Sequence, residues 1–375
     1  MTAHRTYLDH NASSPLRPEA LERMLSAIEA FGNPSSVHAE GRAARALVET
    51  ARAEVAALAG AQGASVVFTS GGTEAANTVI HGRWDRIFVS TIEHPAVSGP
   101  ARALGADLVA LPVHGDGVVD LEAAERLLSV AGNGPGRSLV AVQMANNETG
   151  AIQPVAEIAA LARAHGHVVV SDAVQAAGKL AIDLDALGVD ALMLSAHKIG
   201  GPKGVGALVV RKGASFAPLM MGGGQERGAR AGTENVAGIA GFGAAAAAAQ
   251  RDLTRFAHLS VLRDRLEAGI ARVTPSAVVV ARSAPRLANT SLLAIPGRRG
   301  ETLVIALDLE GIAVSAGAAC ASGKTHRSPV LSAMGYDANL AAASIRVSLG
   351  WSSREEDVDA FLEVWERIAM PAQVA

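Results

Sequence analysis

The sequence predicts an α/β fold, with a large domain on a mainly parallel sheet joined to a smaller α+β domain, and three observations carry that expectation. From about residue 64 to 212, short apolar runs rich in β-branched residues alternate with stretches of helical period, as in buried parallel strands joined by crossover helices. After about residue 252 the pattern changes to longer amphipathic helices with few strands between them. The 375 residues, 49% hydrophobic and 18% charged, are enough for a large core and a second, smaller one. The expected boundaries are 15–251 for the large unit, and 1–14 with 252–375 for the small one.

In chain order, strands are expected at Ser65 to Thr69, Arg86 to Ser90, Leu139 to Gln143, Val168 to Ser171, Ala191 to Ser195 and Gly206 to Val210, each a short apolar run of strand length. Helices are expected at Thr73 to Ile80, Val155 to His165 and the alanine-rich Gly241 to Arg251. The stretch Gly222 to Thr233 is too polar and glycine-rich for an element interior, and reads as an ordered functional loop or a mobile connector. The smaller unit should hold helices at Asp252 to Arg272 and Ser353 to Ile368, with a strand at Ser344 to Leu349.

A formal net charge of -3 provides no field to draw in nucleic acid or an anionic membrane surface. Small molecules and proteins are the expected partners. No apolar stretch of about 18 residues is present, and the polar start of the chain has no basic-then-apolar leader, so the cytoplasm is the expected location. The single cysteine, Cys320, excludes an intramolecular disulfide and a thiolate-rich zinc site. Lysine chemistry has five candidates: Lys179, Lys198, Lys203, Lys212 and Lys324. The run from Ala318 to Thr325 imitates a phosphate-binding P-loop but begins with alanine where that loop needs glycine, and Gly201 to Gly206 lacks dinucleotide-binding spacing.

The polar residues that stand out lie where expected strands end: Ser70-Gly-Gly-Thr73, Asn146-Asn-Glu148, Asp172 and Ser195-Ala-His-Lys198. Open α/β sheets bind ligands at the carboxyl ends of their strands, so one sheet edge can gather all four segments. Asp172 and Lys198 then approach a shared crevice from neighbouring strand ends. Ser70 to Thr73, between a strand and a helix, offers backbone N–H groups and a helix dipole to a phosphate dianion. Ser195 and His197 could add phosphate donors, and His94 could stack on a ring. A lysine amine, an acid for a pyridine nitrogen, a phosphate cradle and a ring support are what pyridoxal phosphate requires. Each residue alone has a plainer reading: a helix cap for Asp172 or Ser70 to Thr73, a solvated loop residue for Lys198 or His94, a small buried hydrophobe for Cys320.

The segments Leu8-Asp-His-Asn-Ala12, Asn33-Pro-Ser-Ser36, Thr69 to Glu74, Asn146 to Gly150, Asp172 to Gln175, His197-Lys198, Gly222 to Thr233 and Ser315 to Cys320 resemble, in order, those of cysteine desulfurases. These belong to the class V aminotransferases, and the likeness is to the nitrogen-fixation and iron–sulfur-assembly type. The resemblance implies a fold-type I pyridoxal-phosphate transferase, a homodimer with its cofactor at the subunit interface. Lys198 would carry the cofactor as a Schiff base, Asp172 would pair with the pyridine nitrogen, Gln175 would bond the ring hydroxyl and His94 would stack on the ring. Gly72, Thr73, Ser195 and His197 would hold the phosphate, with Thr233 reaching it from the other subunit. Asn147 would lie near the ring hydroxyl of the cofactor and the substrate L-cysteine, Arg346 would clamp the substrate's carboxylate, and the Cys320 thiolate would take its sulfur as a persulfide, for delivery to an acceptor or iron–sulfur scaffold protein.

Two departures stand out. His10 replaces a frequent asparagine, and Thr325-His-Arg-Ser-Pro329 differs from the usual sequence after the cysteine. A selenocysteine lyase or another class V aminotransferase is the alternative enzyme, and a non-catalytic sulfur-transfer scaffold the alternative of another class.

Overall fold

The structure, a computed structural model, describes residues 5–131, 137–317 and 328–369. The chain opens with β1 (Thr6–Tyr7), α1 (Pro18–Glu29) and α2 (Ala39–Leu58), then alternates β2 (Ser65–Thr69), α3 (Gly72–Ile80), β3 (Arg86–Ser90), α4 (Pro95–Ala103), β4 (Asp107–Leu111), α5 (Leu121–Ala131), β5 (Ser138–Ala141), α6 (Val155–Ala164), β6 (Val168–Asp172), α7 (Leu184–Leu187), β7 (Ala191–Ser195) and β8 (Gly206–Val210). The seven strands from β2 to β8 form one sheet in the order β2-β8-β7-β6-β5-β3-β4. All its pairs are parallel except those of β8, which runs antiparallel to both β7 and β2. The link from Ser195 to Gly206 is too short for a crossover helix, so β8 must return against β7.

Side chains alternate between the faces of this sheet, as strand geometry requires. Phe68, Phe88, Val140, Val169, Leu192 and Val209 face one core, with Val55, Ile158 and Phe242. Val67, Ile87, Leu139, Val170, Met193 and Leu208 face the other, with Ala75, Val79 and Val97. Burial on both faces explains why the strands read as continuous apolar runs. The edge strand β4 is the exception in burial: Asp107, Leu108 and Ala110 are exposed, and this short Leu-Val-Ala-Leu run is a strand the sequence reading does not include.

After the sheet come α8 (Val236–Arg251), α9 (Leu253–Ala257), α10 (Leu259–Val273), β9 (Val278–Val279), β10 (Thr290–Ala294), α11 (Gly300–Leu309), β11 (Ile312–Ala313), β12 (Ser315–Ala316), α12 (Pro329–Ala333), α13 (Ala338–Ala342), β13 (Ser344–Ser348) and α14 (Glu355–Ala369). The single helix expected over Asp252 to Arg272 is broken at His258, and the bend lets Phe256 and Leu259 enter the same core as Leu266, Phe361 and Trp365. β12, β13, β10 and β9 form an antiparallel sheet in that order. The chain's start is tied to this region: β1 pairs with β11, and Asp9 bridges to Ser348. That leaves residues 9–14 as a strap lying over the carboxyl edge of the large sheet, with Ser14 N donating to His197 O at 2.8 Å. Among the described residues, no helix is long and apolar enough to cross a membrane.

Candidate active site

One cavity of about 320 Å³ opens at the carboxyl edge of the parallel strands, and Gly72, Thr73, His94, Asn147, Asp172, Gln175, Ser195, His197, Lys198 and Arg346 all line it. Thr233 does not line this cavity in its own chain; it faces a separate one with Ser70, Gly204 and Glu234. Cys320 lies outside the described residues.

Asp172 is the last residue of β6, and Lys198 follows β7 in a short 3-10 turn. Since β6 and β7 are paired neighbours, their ends deliver an acid and an amine to one crevice. Asp172 Oδ1 accepts from Val174 N at 2.8 Å, which fixes the carboxylate's rotation. Burial raises its pKa, against the pull of that N–H, His94 and Lys198. Behind it Glu93 is buried: Oε1 accepts from Gln143 N at 2.6 Å, while Oε2 has no partner among the described residues. Burial first, and the Asp172 charge second, hold the Glu93 carboxyl well above its usual range. Lys198 Nζ donates to Asn11 O at 2.7 Å and to Ala12 O at 3.0 Å, so the strap holds the amine over the cavity.

The phosphate-cradle expectation can be tested on α3. Its N-cap is Gly71, with no side chain capping the helix, so first-turn amides keep their donors for a ligand. Glu74 takes the Ser70 N–H instead, at 2.7 Å, and is itself neutralised by Arg230 at 3.0 Å. A Cβ at Gly72 would stand 2.9 Å from Val174 Cγ2, so a side chain there would press into the wall of the cradle. A free helix terminus, a half-buried acid at one strand end and a lysine at the next are the donor set that pyridoxal phosphate needs.

His94 caps α4 by accepting from Ala96 N through Nδ1 at 3.1 Å, so its proton sits on Nε2 when the ring is neutral. Burial lowers the His94 pKa, with Lys198 acting the same way and Asp172 opposing, and the neutral ring is favoured. His197 is lowered to about 4, by burial and then by Lys198 and Lys203.

Arg346 sits in β13, an interior strand of the four-stranded sheet, and is 2% exposed. Its guanidinium donates to Asn147 O at 2.9 Å, Asp9 Oδ1 at 2.8 Å and Ser315 Oγ at 3.2 Å. Nε is buried without a partner among the described residues. A planar fork on the cavity wall with a spare donor suits a carboxylate ligand.

The sequence reading assigned no role to Asn11 or Lys179, both buried at this site. Asn11 O also accepts from Gln175 Nε2 at 3.0 Å, and Lys179 Nζ donates to Asn11 Oδ1 and Gln175 Oε1 at 2.8 and 2.7 Å. Asn11 lay within a motif already carrying the resemblance, which was its available signal. Lys179 offered none, because its burial depends on a segment far away in sequence.

The family described as aminotransferase class-V matches residues 6–361. A cysteine desulfurase of Cereibacter sphaeroides is 45% identical over 96% of this chain and 94% of its own. The cysteine desulfurase IscS of Dictyoglomus turgidum is 40% identical over the same shares of the two chains. Among solved structures, a NifS-like protein from Rickettsia africae superposes with a TM-score of 0.89 at 36% identity, covering 97% of this chain and 99% of that one. Matches of this length run through every segment that builds the cavity, and the chain belongs to the class-V aminotransferases, in their cysteine desulfurase branch.

Proposed function

We propose that this protein is a pyridoxal-phosphate-dependent cysteine desulfurase that converts L-cysteine to L-alanine and carries the sulfur away as a persulfide on Cys320. The observation that supports this best is the convergence of Lys198, Asp172, the α3 terminus and Arg346 on one cavity, together with relatives of that name along nearly the whole chain. Pyridoxal phosphate, when bound, supplies an electron sink that labilises bonds around the substrate's α-carbon.

The chain's own groups do the rest. Lys198 would hold the cofactor covalently, Asp172 would keep its ring nitrogen protonated and Gln175 would meet its ring oxygen. Gly72, Thr73, Ser195 and His197 would hold the phosphate, joined by Thr233 from a partner subunit in a homodimer. Arg346 would clamp the amino acid's carboxylate, with Asn147 near the cofactor's ring oxygen and the substrate. His94, fixed through Nδ1, presents Nε2 to the cavity as a ring support and a place to hold a proton. The Cys320 thiolate would attack the substrate's sulfur: an S–S bond forms, the C–S bond breaks with its electron pair left on carbon, and protonation of that carbon gives alanine. The persulfide would then pass to an acceptor or iron–sulfur scaffold protein.

The test is Cys320→Ala in the holoenzyme. It should stay yellow and bind L-cysteine yet lose alanine and sulfide formation by at least a hundredfold, on the order expected when a nucleophile is removed. Wild type treated with cysteine should carry an extra, reductant-labile sulfur on the Cys320 peptide. Alanine production by Cys320→Ala at near wild-type rate would refute the persulfide route.

A further inference from the structure

Lys179 is a buried lysine to which the reading above gives no task. It is 6% exposed, and among the described residues Nζ meets neutral oxygens only: Gln175 Oε1 at 2.7 Å and Asn11 Oδ1 at 2.8 Å. Burial first, and then the positive charges of Lys198 and Arg346, hold its pKa well below the usual lysine range. Burying an ammonium without an anion is costly, so packing alone does not account for lysine here.

The Gln175 amide shows what the position accomplishes. Nε2 donates to Asn11 O at 3.0 Å, and a backbone carbonyl can only accept. Oε1 receives Lys179. Turning the amide over would set Oε1 against the Asn11 carbonyl, two acceptors facing each other, and would take Oε1 away from the lysine N–H, so the two contacts favour one orientation. An amide nitrogen carries two protons. With one on Asn11, the second remains for the cavity that Gln175 lines.

We propose that Lys179 is a positioning residue: by holding Gln175 Oε1 it keeps the amide N–H turned toward the cavity, where it donates to the ring oxygen of bound pyridoxal phosphate. The inference rests on the reading that Gln175 bonds that oxygen. A donor on the ring oxygen draws off its electron density, so the oxygen holds less tightly the proton it shares with the nitrogen linked to Lys198. The pH at which the bound chromophore changes colour is thereby lowered. Without Lys179, Oε1 is left buried with no donor, and the amide is free to rotate toward other partners around the cavity.

The test is a pH titration of the visible absorbance of the holoenzyme, alongside Lys179→Met, Gln175→Leu and the double variant. Each single variant should raise the midpoint by roughly one pH unit, the size of one charge-assisted hydrogen bond. The double variant should shift no further than Gln175→Leu, because Lys179 acts through Gln175. No shift in Gln175→Leu refutes the ring-oxygen reading and this inference with it. A shift in Gln175→Leu but none in Lys179→Met, or additive shifts in the double variant, overturns the role of Lys179 and leaves the ring-oxygen reading standing. Should Lys179→Met not fold, Lys179→Arg takes its place, since arginine keeps a donor at this position. An unchanged midpoint then supports the proposal, and a shift as large as that of Gln175→Leu overturns it.

Discussion

Glu148 follows Asn147 in the chain, and its carboxylate is buried against Ser328, whose Oγ donates to Oε2 at 2.5 Å while accepting from Leu331 N at 3.0 Å as the cap of α12. Burial lifts its pKa from the ordinary 4.5 to about 7, with the Ser328 hydroxyl and the Arg346 charge pulling the other way. The folded protein therefore binds more protons than the unfolded chain between those values. Stability linked to Glu148 is fully present below pH 4.5 and lost as pH rises toward 7 and beyond. His10 and His197, lowered to about 3 and about 4 mainly by burial, act oppositely and lose stability as pH falls below the usual histidine value. Comparing Glu148→Gln with wild type isolates the first effect, because the amide keeps an acceptor for Ser328 and never ionises. The variant should match wild type near pH 4.5 and exceed it near pH 8 by up to roughly 3 kcal/mol, read from denaturant unfolding at both values. Equal stability at pH 8 would mean the carboxylate is better solvated than its enclosure implies. Residues of this kind divide in how legible they were. Asp172 and Lys198 could be recognised because each interrupts or follows an apolar run, a local pattern. Glu148 and Lys179 take their character from Ser328 and Asn11, which no local pattern connects to them.

At the scale of elements, α8 packs on α1 and α2 through glycine and alanine, and small residues there permit a close approach. A Cβ on Gly243 would stand 2.5 Å from Ala51 Cα, a backbone atom that cannot swing aside. Gly99, exposed in the middle of α4, would meet nothing within 4 Å. The same substitution to alanine should thus have opposite signs. At Gly99 the gain is about 0.4–1 kcal/mol from a less flexible unfolded chain. At Gly243 the helix-propensity gain of about 1 kcal/mol is outweighed by overpacking of about 1–3 kcal/mol. Thermal midpoints of the two variants should move in opposite directions, and a raised midpoint for Gly243→Ala would show that α2 and α8 can separate cheaply. The alanine tract announced a helix but not its partner. It extends N-terminally to Val236, capped by the Asn235 side chain on Gly238 N at 3.1 Å. Likewise the apolar runs announce strands but not direction, so β8 reads as one more parallel strand, whereas it runs antiparallel to β7.

At the scale of the molecule, the cavity is assembled from segments spread over most of the chain, from Asn11 to Arg346, yet one predicted contributor stays away from it. Thr233 faces a separate cavity beside Ser70 and Gly204. Its loop is held by Glu226, which pairs with Arg52 at 2.7 Å and accepts from Phe68 N at 2.9 Å. Leading into that loop, Met220 and Met221 are exposed, and α1 presents Leu21, Leu25 and Ile28 to solvent at helical spacing, followed by Phe31. An apolar stripe of this kind is ordinarily covered. In the homodimer we propose, the neighbouring copy covers it and offers Thr233 to the phosphate across the interface. Mixing Thr233→Ala subunits with Lys198→Ala subunits tests this directly. If Thr233 serves its neighbour, each mixed dimer has one site with both lesions and one with neither. Random pairing then restores roughly a quarter of all sites, provided each variant alone is inactive. If Thr233 serves its own chain, every site keeps one lesion and mixing restores nothing. Sedimentation of the same samples supplies the control, because a fully active monomer would remove the shared site altogether.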